Sequence, residues 1–183
     1  TLTLALGTRK MLNKKALVRR LPVIESLGSV DVICTDKTGT LTESRMVVKK
    51  IFFDSREIDV SGGFSTEGKF STDGKPVDPQ DLKEILQTGA LCNDSEVQDD
   101  DIIGDPTEAA LIQSAQKAGF EREELEKTYR RIDEIPFSSD RKMMTTIHDG
   151  PGENDRAFVK GATEVIIEKC KRYYDNGKLK ELT

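Results

Sequence analysis

Apolar positions follow two rhythms along this chain, and the changes of rhythm mark out its elements. In the first 28 residues Leu4, Leu6, Met11, Leu12, Ala16, Leu17 and Val18 are set among Arg9, Lys10, Lys14, Lys15, Arg19 and Arg20. That spacing predicts an amphipathic helix with a basic face, either solvated or lying near an anionic surface. Val30–Cys34 is a short β-branched run after Gly28, ended by a Thr-Asp-Lys-Thr-Gly cluster, and predicts a buried strand feeding a loop. Val47, Val48, Ile51, Phe52 and Phe53, interrupted by lysines, predict strands joined by polar turns up to Val60. Residues 61–80, rich in Gly, Ser, Thr, Asp and Pro, read as a surface loop or an irregular hairpin. Leu82, Ile85, Leu86 and Ala90 recur at helical spacing and predict a helix over 81–91, and 94–101 follows as an acidic linker.

Asp105-Pro106-Thr107-Glu108 has the grammar of a helix start, with an N-cap aspartate, proline at the first helical position and a glutamate placed for a capping box. The helix then runs to a stop at Gly119, and Glu121–Lys127 adds a helical turn. Tyr129–Ile135, Met143–His148 and Arg156–Lys160 read as strands, and Thr163–Lys171 as a closing helix. The fold class expected is α+β: a mainly antiparallel sheet from strands between Val47 and Lys160, covered by helices at 81–91, 106–118 and 163–171.

Composition narrows the classes. The 183 residues carry 28 Lys+Arg against 33 Asp+Glu, a net charge of −5, so nucleic acid is not expected as a partner. Charged residues make up 33% and no apolar run approaches the roughly 20 residues of a membrane-spanning helix, so the chain is not expected to cross a bilayer by itself. Cys34, Cys92 and Cys170 are far apart and form no CxxC pair, which points to neither a disulfide framework nor a zinc site and fits a reducing compartment.

The chemistry concentrates in Asp36-Lys37-Thr38-Gly39-Thr40-Leu41-Thr42, directly after the Val30–Cys34 run. An aspartate at the carboxyl end of a buried parallel strand sits where α/β folds present reactive groups. A carboxylate there attacks a phosphoryl group to give an aspartyl phosphate, with Mg²⁺ offsetting the charge repulsion. A polar turn after a strand uses the same residue types.

The string CTDKTGTLT resembles the phosphorylation signature of P-type ATPases. The resemblance continues in order through Cys92-Asn93-Asp94, Gly104-Asp-Pro-Thr-Glu108, Phe137-Ser-Ser-Asp-Arg-Lys-Met143 and Lys160-Gly161-Ala162, and the basic start is similar to the stalk that precedes the phosphorylation site in calcium and related cation pumps. It implies that Asp36 is phosphorylated by ATP and that Asp36 and Thr38 ligate Mg²⁺. It also implies that Glu108, Phe137, Arg141, Lys142, Lys160, Gly161 and Ala162 line an ATP site, with Phe137 as a stacking platform for the base. Taken singly, Phe137 also reads as a core residue, each lysine as solvated, Gly161-Ala162 as a strand-to-helix turn, and Arg141 as fold support.

Under this resemblance residues 1–28 are the stalk and the end of a transmembrane helix, 29–45 the strand and loop of an incomplete haloacid-dehalogenase-like Rossmann domain, and 46–183 a C-terminally incomplete nucleotide-binding domain. The expected setting is the cytoplasmic part of an integral membrane pump, with Ca²⁺ as the transported ion and the membrane, actuator and remaining phosphorylation domains as partners. The chain alone is expected to bind nucleotide and not to pump. Two other readings compete: a dehalogenase-type phosphatase or phosphotransferase, disfavoured because Thr38 stands where its acid/base aspartate belongs, and a nucleotide- or protein-binding module without chemistry.

Overall fold

The computed structural model describes residues 2–20, 22–37, 39–98, 101–152 and 154–182. Thr1–Glu43 forms one compact unit and Ser44–Thr183 another.

In the first unit the expected single amphipathic helix is two helices, α1 (Leu2–Asn13) and α2 (Pro22–Leu27), with no buried residue in either. Helix α1 ends where Lys15 takes a left-handed φ of 63° and the Ala16 N–H donates to the Met11 carbonyl at 3.0 Å, a helix-closing pattern. Lys14, Lys15, Arg19 and Arg20 therefore lie off the helix that carries Arg9 and Lys10. Pro22 opens α2 because its fixed φ suits a first helical position.

The strand expected at Val30–Cys34 is not formed, and Val32 and Ile33 are 73% and 83% exposed. A parallel strand is stable when neighbours satisfy its backbone and cover both its faces. No strand is found in this unit among the described residues, so the Val30–Cys34 run has no strand of the unit to pair with.

The second unit carries antiparallel strands throughout. Strands β1 (Lys50–Phe53), β2 (Arg56–Val60), β3 (Phe70–Thr72) and β4 (Lys75–Pro76) pair in that order, so the glycine-rich stretch 61–80 contributes two short strands. Asp54 and Ser55, both at positive φ, make the tight β1–β2 turn. A 3₁₀ turn at Pro79–Leu82, capped by the Asp78 carboxylate accepting the Gln80 N–H at 2.9 Å, leads into α3 (Lys83–Leu91). Strands β5 (Glu96–Gln98) and β6 (Asp101–Ile103) pair where an acidic linker was expected.

Helix α4 (Pro106–Gln116) starts as its sequence predicts, the Asp105 carboxylate accepting the N–H groups of Thr107 at 2.7 Å and Glu108 at 3.3 Å. Such a cap is worth about 1 kcal/mol. The helix closes at Gly119, whose φ of 78° suits glycine. Helix α5 (Arg122–Thr128) precedes a three-stranded sheet of β7 (Arg130–Ser138), β8 (Met143–Asp149) and β9 (Arg156–Gly161). Helix α6 (Thr163–Lys169) and a hairpin of β10 (Arg172–Asp175) and β11 (Lys178–Glu181) complete the unit.

The antiparallel strands thus divide into separate sheets where one was expected. Pro76 removes a ladder donor from β4, and α3, α4 and α5 intervene before β7. Strand β8 alternates by the period of a strand: Met144, Thr146 and His148 are buried while Met143, Thr145 and Ile147 are half-buried. The Thr146 hydroxyl donates to the Leu91 carbonyl at 3.4 Å, so the end of α3 rests on the buried face of β8. Phe158 of β9 meets His148 and Tyr129 edge-on at 5.1 and 5.8 Å.

Candidate functional site

Register gathers several expected residues at one end of the β7–β8–β9 sheet. Ser138 pairs with Met143 and Met143 with Gly161, while Lys160 pairs with Met144. The β7–β8 turn, which holds Arg141 and Lys142, therefore adjoins the end of β9 and the start of α6.

Phe137 lies within a bulge, since β7 spends three residue steps from Ile135 to Ser138 where β8 spends two from Thr145 to Met143. Pro136, which has no N–H to give the ladder, sits in the same bulge. Phe137 is 61% exposed, which excludes the core reading and leaves an aromatic surface open to solvent. The Arg141 guanidinium donates to the Ile135 and Pro136 carbonyls, both at 3.4 Å, and to the Thr145 hydroxyl at 3.1 Å. Arg141 therefore braces the bulge that carries Phe137.

Lys142 stands at a left-handed φ of 52° and its ammonium is exposed, 3.9 Å from the Glu164 carboxylate, a loose surface pair worth little. Its carbonyl accepts the Ala162 N–H at 2.9 Å. Gly161 is packed so tightly that a β-carbon on it would lie 2.4 Å from the Lys142 carbonyl oxygen and 2.5 Å from the Met143 β-carbon. Glycine here answers to strand packing as well as to any ligand.

Glu108 and Lys160 form a half-buried ion pair. The Lys160 ammonium donates to Glu108 Oε1 at 2.5 Å, with 22% and 19% of the two side chains exposed. Oε2 accepts the Asp94 N–H at 2.9 Å and the Ser95 N–H at 3.1 Å. The capping-box position of Glu108 therefore does not commit its carboxylate to the Asp105 backbone; the side chain turns to the β9 lysine and the 94–95 turn. Burial pushes this carboxyl up, yet the Lys160 ammonium and the two N–H donors outweigh it and hold it below the usual range.

Cys92 is buried and its thiol is pushed up by burial, so it is an unreactive packing residue. His148 is buried with Nδ1 2.9 Å from the Tyr129 carbonyl, and burial pushes its pKa down. Asp36 is exposed, and Thr38 lies outside the described residues. Among the described residues no three His, Cys, Asp or Glu side chains gather as a metal cluster. A single hard carboxylate such as Asp36 suits Mg²⁺ that arrives with nucleotide phosphates supplying the other oxygens.

Two of the cavities among the described residues lie elsewhere. One of about 480 Å³ is lined by Glu96, Glu121, Glu123, Glu124 and Glu126 with Arg122, a wall that repels phosphate. The other, of about 340 Å³, lies between Phe53, Glu84 and Tyr174. The expected nucleotide residues line neither. Most of them lie at the end of the β7–β8–β9 sheet, and Ser95, Arg122 and Arg131, which support Glu108 and its turn, belong to none of the motifs. The one available hint was the Asn-Asp-Ser run directly after a helix.

Comparison with known proteins decides the family. The family model for the cytoplasmic domain N of P-type ATPases matches residues 81–183. The chain belongs to the P-type ATPase family. It is 44% identical over 183 residues to the cation-transporting ATPase pma1 of Synechocystis sp., covering 93% of this chain and 20% of that one. It is 38% identical over 185 residues to the calcium-transporting ATPase of Bacillus subtilis, covering 97% and 21%. It is 40% identical over 192 residues to the human calcium-transporting ATPase type 2C member 1, covering 100% and 21%. The chain thus spans about a fifth of the length of these relatives. Antiparallel sheets flanked by helices agree with the cytoplasmic domain N of this family. No helix among the described residues is long and apolar enough to cross a membrane.

Proposed function

We propose that Ser44–Thr183 binds ATP, as Mg·ATP, at the open end of the β7–β8–β9 sheet, and that in the parent P-type ATPase this nucleotide phosphorylates Asp36. The Asp36 carboxylate oxygen forms a bond to the γ-phosphorus, the bond to the β,γ-bridging oxygen breaks, and ADP leaves; water then hydrolyses the aspartyl phosphate. The cycle drives cation transport across a membrane, with Ca²⁺ as the cation, in keeping with the printed names of relatives in Bacillus subtilis and human. The chain forms part of the cytoplasmic portion of that pump, and its partners are the membrane and remaining cytoplasmic domains.

The carrying observation is the Glu108–Lys160 pair, an acid and an ammonium held half out of water at the same sheet end as an exposed aromatic ring. An aromatic face stacks on a base without needing a particular donor pattern. A half-buried ammonium attracts phosphate or base acceptors more strongly than a solvated one, and Lys142 adds a second, exposed cation. Arg141 keeps Phe137 in place rather than reaching outward. Gly161 and Ala162 let the backbone pass close to the Lys142 carbonyl.

Calorimetric titration of the chain with Mg·ATP and with Mg·tripolyphosphate tests the reading. Saturable ATP binding that the tripolyphosphate does not reproduce supports a base-recognising site. Equal binding of both would reduce the sheet end to an anion patch.

A further inference from the structure

One oxygen of the Glu108 carboxylate, Oε2, is held by Asp94 and Ser95 of the short turn Asn93–Ser95, between α3 and β5. We infer that Ser95 is a positioning residue for the Glu108–Lys160 pair: its N–H and hydroxyl hold one Glu108 oxygen so that the other faces Lys160. The inference rests on the nucleotide reading and adds the group that sets the geometry of the pair.

Ser95 is fully buried, and a buried polar group is retained when it is hydrogen-bonded. Its N–H is shared between Asn93 Oδ1 at 2.9 Å and Glu108 Oε2 at 3.1 Å. Its hydroxyl stands 3.1 Å from the Asp105 carbonyl and 3.3 Å from Glu108 Oε2 and shares its one proton between them, tying the turn to the start of α4. The Asp94 N–H is the further donor to Oε2, at 2.9 Å. With Oε2 occupied in this way, Oε1 is left for the ammonium.

The turn itself is clamped from its carbonyl side. The Arg122 guanidinium donates to the carbonyls of Ser95 at 2.6 Å and Asn93 at 3.1 Å, and Arg131 donates to the Asn93 carbonyl at 3.3 Å and the Asp94 carboxylate at 2.9 Å. Carbonyls engaged by two arginines leave the N–H groups of the turn facing Glu108. Asn93, also fully buried, bridges the Gly89 and Glu108 carbonyls through Nδ2 at 3.0 and 2.8 Å.

Gly104 completes the device. Its φ of +121° suits glycine, and a β-carbon there would lie 2.4 Å from the Ser95 hydroxyl oxygen and 2.9 Å from the Ser95 α-carbon. The Cys-Asn-Asp-Ser and Gly-Asp-Pro-Thr-Glu segments, on either side of the β5–β6 hairpin, are therefore one arrangement: the glycine makes room for the serine that holds the glutamate.

A turn serving only as a pin between helices would be indifferent to the state of the carboxylate, and that separates the two roles. The first measurement needs neither a variant nor a ligand: the Glu108 side-chain carbon and the amide protons of Asp94 and Ser95 are followed by NMR through acid titration. The inference predicts one shared midpoint; amides that ignore the Glu108 titration would overturn it. The second compares Mg·ATP affinity of Ser95→Ala, Glu108→Gln and the double variant. Ser95→Ala is expected to weaken binding about threefold to tenfold, the worth of one hydrogen bond, and to change it by less than about twofold once Glu108 is already Gln. An equal loss in both backgrounds would show that Ser95 does not act through Glu108. A wild-type chain that binds no Mg·ATP would sink the nucleotide reading, while the shared amide midpoint would still decide whether Ser95 holds Glu108.

Discussion

Gly161 and Lys142 touch through backbone, with room for a hydrogen and none for a methyl group: a β-carbon on Gly161 would come within 2.4 Å of the Lys142 carbonyl oxygen. That carbonyl also accepts the Ala162 N–H at 2.9 Å, so the end of β9 cannot yield without moving the β7–β8 turn. Gly161→Ala is expected to destabilise the second unit by about 1–3 kcal/mol, the usual cost of overpacking. Denaturant unfolding checks this, and an unchanged midpoint would contradict the packing described.

The half-buried Glu108–Lys160 pair makes Lys160→Met informative. Removing the ammonium leaves the Glu108 carboxylate with the Asp94 and Ser95 donors alone. The loss of a charge-assisted bond of this kind is about 1.5–3 kcal/mol, and stability is expected to fall within that range. Mg·ATP affinity is expected to fall roughly tenfold or more, and calorimetry of the variant provides the check.

Acid should destabilise the second unit through two groups. His148, with its pKa pushed below 6.5 by burial, is neutral when folded, and the unfolded chain binds the extra proton. Its contribution is therefore present above 6.5 and declines as pH falls from there toward the depressed value. Glu108 lies below its usual 4.5, because Lys160 and the turn donors outweigh burial, so its contribution is present above 4.5 and is lost as pH falls through the lowered folded value. Unfolding midpoints measured from about pH 7 down to about pH 5 should decline in wild type and stay flat in His148→Phe. A decline that persists in the variant would assign it to other groups.

Local signals were legible wherever one residue type has one physical job. Asp105-Pro106 opened α4 and Gly119 closed it, as cap chemistry requires, and Met143–His148, read as a strand, is β8. The signal failed where the answer lies in partners. Val30–Cys34 has the composition of a buried strand, but composition does not supply neighbours to pair with. The 94–101 stretch looked like linker because acidic residues hide a hairpin whose pairing is set by backbone bonds. At the site, the motifs named Glu108 and Lys160, while Ser95, Arg122 and Arg131 came from contacts 13 to 38 residues distant in sequence, which no local pattern records.

Two tight turns meet at Asp54 and Gly177. The Gly177 N–H donates to both Asp54 carboxylate oxygens at 2.9 and 3.1 Å, and the Ser55 hydroxyl donates to Asp175 at 2.8 Å. Phe53 and Tyr174 lie 6.0 Å apart beside them. These contacts hold the β10–β11 hairpin against the β1–β2 hairpin. Asp54→Ala is expected to raise amide exchange across Arg172–Glu181 at least severalfold and to leave β7–β9 unaffected; equal exchange in both hairpin states would show that the turn contact is not what holds it.

The most direct test of ATP binding at the sheet end is a two-dimensional NMR titration of the chain with Mg·ATP, run beside Phe137→Ala. The ring is 61% exposed, so its removal should leave the fold intact. The account predicts saturable shifts at Glu108, Phe137, Lys142 and Lys160 in wild type, with affinity reduced at least about fivefold in the variant, the lower end of what a stacked base is worth. Equal affinity in a folded variant, or shifts clustered at the Glu121–Glu126 cavity instead, would contradict it.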